Sequence, residues 1–213
     1  MRITWLGHSC FRLESGDSSL VIDPYSDGAV PGLAPLGAMA DAVYCSHDHR
    51  DHGASDRIEL TGRPCTLTVE TIPCFHDDKL GLLRGKNRIH IISDGKVRAA
   101  HLGDLGHKPN KAALEKLRGV DALFIPVGGY YTIDAETAAQ VCDMIGARVI
   151  FPMHYRLGTM GYDVIAELSA FTKLRADVVA YDTNTFDLSP QTPAQTAVLT
   201  VDAANRIGQE VEP

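Results

Sequence analysis

Ser46-His-Asp-His-Arg-Asp-His52 is the stretch that decides how this chain is read, because an H-x-H-x-D-H run packs four metal-ligating side chains into six positions. His47, His49, Asp51 and His52 offer three imidazoles and one carboxylate, a set that suits zinc and its first-row neighbours. Successive side chains on so short a loop diverge, so one ion cannot easily take all four. The economical arrangement turns His47 and His49 toward one ion and Asp51 and His52 toward a second one nearby. A solvated polar turn is the plainer reading, but only nine histidines occur in 213 residues and three of them fall in this run.

A paired site needs ligands from elsewhere. Asp104, in Ala100-His-Leu-Gly-Asp-Leu-Gly106, follows an apolar run at a strand end. Gly103 and Gly106 beside it let backbone approach closely, so its carboxylate can bridge two cations and lower their mutual repulsion. His154 closes Arg148-Val-Ile-Phe-Pro-Met-His154, a buried-looking strand that delivers a polar side chain at its C-terminal end. The last imidazole comes from His76, His101 or His107. His76 is favoured, since Pro73 is expected to break the strand-like run Thr66 to Ile72 and free a loop to fold over the site. His101 then stands behind the ligands rather than among them.

With these residues in view, the chain resembles the small members of the metallo-beta-lactamase superfamily, close to the group that contains L-ascorbate-6-phosphate lactonase and metal-dependent hydrolases. The resemblance runs over nearly the whole length, through Ile3-Thr-Trp-Leu-Gly-His-Ser9, Val21-Ile-Asp-Pro24, His47 to His52, His76, Gly103-Asp104, Asp121 to Gly129 and Pro152-Met-His154. It implies a four-layer αββα sandwich. It also implies that His47, His49 and His76 hold one metal, that Asp51, His52 and His154 hold the other, that Asp104 bridges them, and that Asp23 is a buried aspartate bracing the metal loop.

Composition agrees. A chain of 213 residues, 45% hydrophobic, can bury a sizeable core, and no Pro/Ser-rich linker, charge run or repeat divides it, so residues 1–213 are expected to form one domain. Five cysteines without a tight pair argue for reduced thiols, with Cys10 and Cys45 in core packing. The opening residues already read as a strand, without the apolar core of a signal peptide, and no run of 18 apolar residues occurs, so the cytoplasm is the expected location and no membrane is expected as partner. A formal charge of −7 with no basic stripe disfavours a nucleic-acid surface. Self-association is left open.

Short strands are expected at Arg2 to Leu6, Cys10 to Glu14, Leu20 to Asp23 and Ala42 to Ser46. A two-residue hairpin at Asp94-Gly95 should join Arg88 to Ser93 with Lys96 to Leu102. Helices are expected at Lys111 to Arg118, Asp134 to Ile145 and Tyr162 to Leu174, with strands at Ala122 to Pro126, Arg148 to Phe151, Val178 to Tyr181 and Ala197 to Val201.

Two divalent ions, zinc or alternatively manganese, held roughly 3.5 to 4 Å apart would lower the pKa of a shared water toward 7 and polarise the bond it attacks. Two ions, two carboxylates and one hydroxide sum to a charge of about +1, which accepts a small anionic ester, lactone or phosphoester. Asp51 is placed to shuttle a proton and Asp104 to hold the ions together, so both are catalytic candidates. Tyr131 and its neighbours are candidates for a pocket lip and Arg156 for an anion contact, while His8 is either a pocket residue or a partner of a ligand. A metal-binding scaffold or sensor without turnover is the competing function.

Overall fold

The computed structural model describes residues 1–207. The N-terminal half begins with β1 (Arg2–Gly7), β2 (Cys10–Ser15) and β3 (Ser18–Ile22), an antiparallel meander. After it come β4 (Ala38–Ala40), β5 (Ala42–Tyr44) and β6 (Ile58–Leu60), of which β5 lies parallel to β3 and β4 pairs with β6. Then follow β7 (Thr68–Phe75), β8 (Lys86–Ser93) and β9 (Arg98–His101), again antiparallel. The remainder alternates: α1 (Lys111–Leu117), β10 (Ala122–Pro126), α2 (Ala135–Ile145), β11 (Val149–Met153), α3 (Ser169–Thr172), β12 (Val178–Ala180), β13 (Thr185–Asp187) and β14 (Gln195–Val198).

Beside the two-stranded β4-β6 sheet, two larger sheets result, one of five strands in the order β13-β1-β2-β3-β5 and one of seven in the order β12-β14-β11-β10-β9-β8-β7. Strands β10 and β11 are buried at every position, as parallel strands covered on both faces must be. Aromatic rings join the two sheets. Phe11 of β2 lies 4.4 Å from Phe124 of β10, and Phe151 of β11 lies 5.2 Å from Phe186 of β13. Helix α2 starts where Asp134 accepts from the Thr137 amide and ends where Gly146 takes a left-handed φ of 70°. No helix of the described residues is long and apolar enough to cross a membrane.

Three local expectations need correction. Pro73 does not break its strand: β7 runs through it, with Pro73 opposite Arg88. This is tolerated because β7 is the edge strand of its sheet. The connection of β8 to β9 is four residues rather than two, since Ser93 pairs with Arg98 and the Asp94 carboxylate caps the turn by accepting from the Lys96 and Val97 amides. The helix expected from Tyr162 to Leu174 shrinks to Ser169–Thr172. The preceding segment is pinned instead to neighbouring loops, the Ala166 amide donating to Gly128 and its carbonyl accepting from Arg156.

Candidate metal centre

Parallel pairing of β3 with β5 carries Asp23 and Ser46 side by side past the ends of their strands. The Asp23 amide donates to the Tyr44 carbonyl, and Asp23 turns with a φ of 52° so that its carboxylate faces the next loop. That carboxylate accepts from the Ser46 amide at 2.6 Å, from Ser46 Oγ at 2.6 Å and from His52 Nδ1 at 2.8 Å. The loop then folds back on itself, with the His52 and Gly53 amides both donating to the His49 carbonyl. The loop turns as a unit, so the side chains of one short segment diverge as the sequence suggested.

The seven-stranded sheet supplies the other residues from its strand ends. His76 follows β7, Asp104 follows β9 and His154 follows β11 with a φ of 54°. Close approach at Asp104 depends on its glycines. A Cβ on Gly103 would stand 2.4 Å from Asn87 Oδ1, and one on Gly106 would stand 2.2 Å from the Asp77 amide nitrogen. Asn87, buried, accepts from the Asp104 amide and donates to the Leu102 carbonyl, holding the turn.

These elements bring all seven sequence-predicted residues together. Ring nitrogens of His47, His49 and His76 form one group, and His52, Asp104 and His47 form another, each with its ligand atoms within 4.8 Å of one another. Asp104 lies at the middle: Oδ2 is 3.1 Å from His76 Nε2 and 3.2 Å from His154 Nε2, while Oδ1 is 3.2 Å from His52 Nε2. Asp51 Oδ2 is 3.5 Å from His52 Nε2. His101, by contrast, donates to or accepts from backbone only, at the Ser9 carbonyl and the Gly103 amide, and His107 bonds the Phe75 amide and the Lys108 carbonyl. Of the three candidates for the last imidazole, His76 alone faces the cluster.

Tautomers follow from these partners. His47 Nδ1 donates to Ser46 Oγ, which donates in turn to Asp23, and His52 Nδ1 donates to Asp23 directly. With a single proton on each, both rings present a bare Nε2 inward. Burial, then the charge of His52, pushes His47 down to about 3, so it is neutral at pH 7. Burial opposes the charge on Asp104, but His154 and His52 outweigh it and hold the carboxyl well below its ordinary range. Burial likewise opposes a proton on His52, and Asp104, Asp23 and Asp51 overcome it. Three carboxylates amid buried imidazoles want positive charge. His52 Nε2, Asp104 Oδ1, His76 Nδ1 and His154 Nδ1 have no hydrogen-bond partner. A donor set of bare imidazole nitrogens and ionised carboxylates fits divalent cations.

A cleft of about 300 Å³ opens onto the cluster, lined by Leu83, Arg84, Tyr131 and Tyr162 beside His49, Asp51, His76, Asp104 and His154. Sequence reasoning identified Tyr131 but missed Arg84. Its Nη2 donates to the Tyr130 carbonyl at 2.9 Å, and its guanidinium lies 5.7 Å from the Tyr131 ring centre. Arg156, the expected anion contact, instead pairs with Glu167 at 2.9 Å and does not line the cleft. Arg84 is placed by Asp77, whose two oxygens accept from the amides of Lys79, Gly81, Leu83 and Arg84. The signal for this was present in Asp77 followed by Gly81 and Gly85, an aspartate opening a glycine-bounded loop.

Residues 2–154 match the family model described as Beta-lactamase superfamily domain. Among curated proteins, the chain is 31% identical to a UPF0173 protein of Pyrococcus furiosus, covering 73% of this chain and 83% of that one. It is 29% identical to a UPF0173 metal-dependent hydrolase of Nitratidesulfovibrio vulgaris, covering 72% and 80%. A crystal structure from Thermotoga maritima, described as a Zn-dependent hydrolase of the metallo-beta-lactamase superfamily, superposes with a TM-score of 0.73 at 28% identity, over 93% of this chain and 97% of that one.

Proposed function

The chain belongs to the beta-lactamase superfamily and to its UPF0173 group, and from that premise we propose that it is a metal-dependent hydrolase acting through a pair of divalent ions on a small anionic ester, lactone or phosphoester. One observation carries the reading: four imidazole nitrogens converge within 3.9 Å of the two oxygens of a single buried carboxylate, Asp104. His47, His49 and His76 would hold one ion, Asp51, His52 and His154 the other, and Asp104 both. Zinc suits this imidazole-rich set, with manganese as the alternative. When bound, such ions supply Lewis acidity and a nucleophilic water at neutral pH.

The chain's own groups account for the rest. Asp104 screens the two cations from each other and orients four rings around them. Asp51, 13% exposed at the cleft wall, is placed to accept a proton from the attacking water and return it to the leaving oxygen. Arg84 gives the cleft a fixed positive charge opposite the cluster, which favours a substrate bearing an anion a short distance from the bond that breaks. A cleft of about 300 Å³ is at the small end of ligand sites.

Protein purified without chelator is expected to carry about two ions per chain and to hydrolyse at least one member of a panel of anionic lactones, thioesters and phosphodiesters, activity disappearing with the metal. Full metal content with no turnover on any of them would favour the scaffold reading.

A further inference from the structure

His8 lies at the end of β1 and outside the H-x-H-x-D-H run, and it is 1% exposed. Neither ring nitrogen has a hydrogen-bond partner. A core histidine normally satisfies at least one of them, because an unpartnered buried donor or acceptor is costly. The residue is held where it is: its φ is 52°, a left-handed conformation uncommon for a residue with a side chain. Trp5 Nε1 donates to its carbonyl at 3.0 Å, and the following carbonyl, of Ser9, accepts from His101 Nε2 at 2.9 Å. Those bonds fix the ring against the second half of the centre, 4.2 Å from the His154 ring and 5.5 Å from the His52 ring.

The spacing there is that of ligands and not of hydrogen bonds. His8 Nε2 stands 3.4 Å from Asp51 Oδ2, and His52 Nε2 stands 3.5 Å from the same oxygen. A charge-assisted hydrogen bond would be shorter, about 2.7 to 2.9 Å. Four ligands each about 2.0 to 2.1 Å from one tetrahedral ion lie about 3.3 Å apart. His8, Asp51, His52 and His154 also form one group whose ligand atoms all lie within 4.8 Å.

Resting on the paired-ion reading above, we propose that His8 is a fourth protein ligand of the ion held by Asp51, His52 and His154. The two halves of the centre then differ. The half containing His8 has four protein ligands besides the bridge, one more than the other half, and it lies inward, His8, His52 and His154 each being no more than 1% exposed. The half formed by His47, His49 and His76 has three protein ligands besides the bridge, and His49 is exposed at the cleft. That outer half is the one with a position open to solvent and substrate.

The test is a zinc titration against a competing chelator on the wild-type chain and on His8→Asn and His8→Gln, with zinc content read by elemental analysis. Asn tolerates the left-handed backbone, and Gln keeps more of the ring's reach. Wild type is expected to release two ions in separate steps, and both variants should lose the tighter step, its dissociation constant rising about 100-fold or more, beyond the roughly 10 to 100-fold of an outer-shell change. A tighter step unmoved in a folded variant overturns the proposal. A crystal structure of the zinc-loaded wild-type chain decides independently of how the variants fold. His8 Nε2 at about 2.1 Å from an ion supports the ligand, whereas no ion within bonding reach of His8 overturns it. Wild-type stoichiometry separates the two levels: fewer than two ions overturns the paired centre itself, while two ions with His8 uninvolved overturns only this assignment.

Discussion

Asp104 shows most directly how much one side chain carries, since four rings from three different segments point at it. Asp104→Asn keeps the size and the Asn87 bond to its amide but removes the charge that lets two cations share a site. Turnover should be abolished and zinc content should fall below two per chain, with the circular dichroism spectrum unchanged. Retained activity would remove Asp104 from the chemistry. His76 and His101 offer a paired comparison. His76→Ala takes a ring out of the cluster, so metal occupancy and rate should both fall by orders of magnitude. His101→Ala removes bonds to the Ser9 carbonyl and Gly103 amide, whose neighbours His8 and Asp104 belong to the cluster. It should cost about 10 to 100-fold in rate or metal affinity, as for other groups that orient ligands from behind. A harmless His76→Ala beside a metal-free His101→Ala would exchange the two roles.

At the scale of elements, the loop between β7 and β8 is the part of the cleft most open to change. Asp77 holds it through four amides, and the loop places Leu83 and Arg84 at the cleft while leaving Leu80 and Leu82 exposed. Asp77→Ala is therefore expected to raise KM for an anionic substrate with zinc content at the wild-type value. Loss of metal in that variant would mean that the loop supports the centre rather than the substrate. Burial opposes the Asp77 charge, but the amides of Arg84, Lys79, Gly81 and Leu83 outweigh it and hold the carboxyl at about 2, below the ordinary 3.8. Its contribution to stability is complete above the ordinary value and disappears as pH falls through about 2. Asp77→Asn should accordingly flatten the acid limb of a stability profile between about pH 4 and 2, and an identical limb would contradict that bonding. Local pattern reached some of this and not the rest. His47 to His52 were legible because these cluster residues are neighbours in sequence, and Asp104 and His154 because a polar residue closing an apolar strand needs a reason to be there. His76 was favoured on a mistaken premise, since Pro73 sits within an edge strand instead of ending it, although the ring does face the cluster. Arg84, and the choice between the two roles open to His8, were beyond local pattern. Each acquires its meaning from residues more than 40 positions away, His8 from Asp51 and Arg84 from Tyr130 and Tyr131.

Across the whole molecule, the proposed ligands come from both sheets. Asp23 and the His47 to His52 loop extend from β3 and β5 of the five-stranded sheet, whereas His76, Asp104 and His154 extend from β7, β9 and β11 of the other. The aromatic contacts of Phe11 with Phe124 and of Phe151 with Phe186 hold the sheets together in the middle of the sandwich, and the His/Asp cluster joins them at one edge. Ions bound there exist only when both sheets are in place, so their binding free energy adds to the stability of the entire fold. At a free ion concentration about 1,000 times the dissociation constant, one site contributes about 4 kcal/mol. For a chain of 150 to 250 residues each kcal/mol moves Tm by about 2 to 4 °C. Stripping one ion should therefore lower Tm by about 8 to 16 °C, and stripping both by more, in a single cooperative transition that zinc restores. The measurement is calorimetry on zinc-loaded, chelator-treated and reconstituted protein, with metal content determined for each sample. If chelator removes the zinc and Tm stays within a degree, the ions do not bind the folded chain in preference to the unfolded one, and a centre bridging the two sheets is excluded.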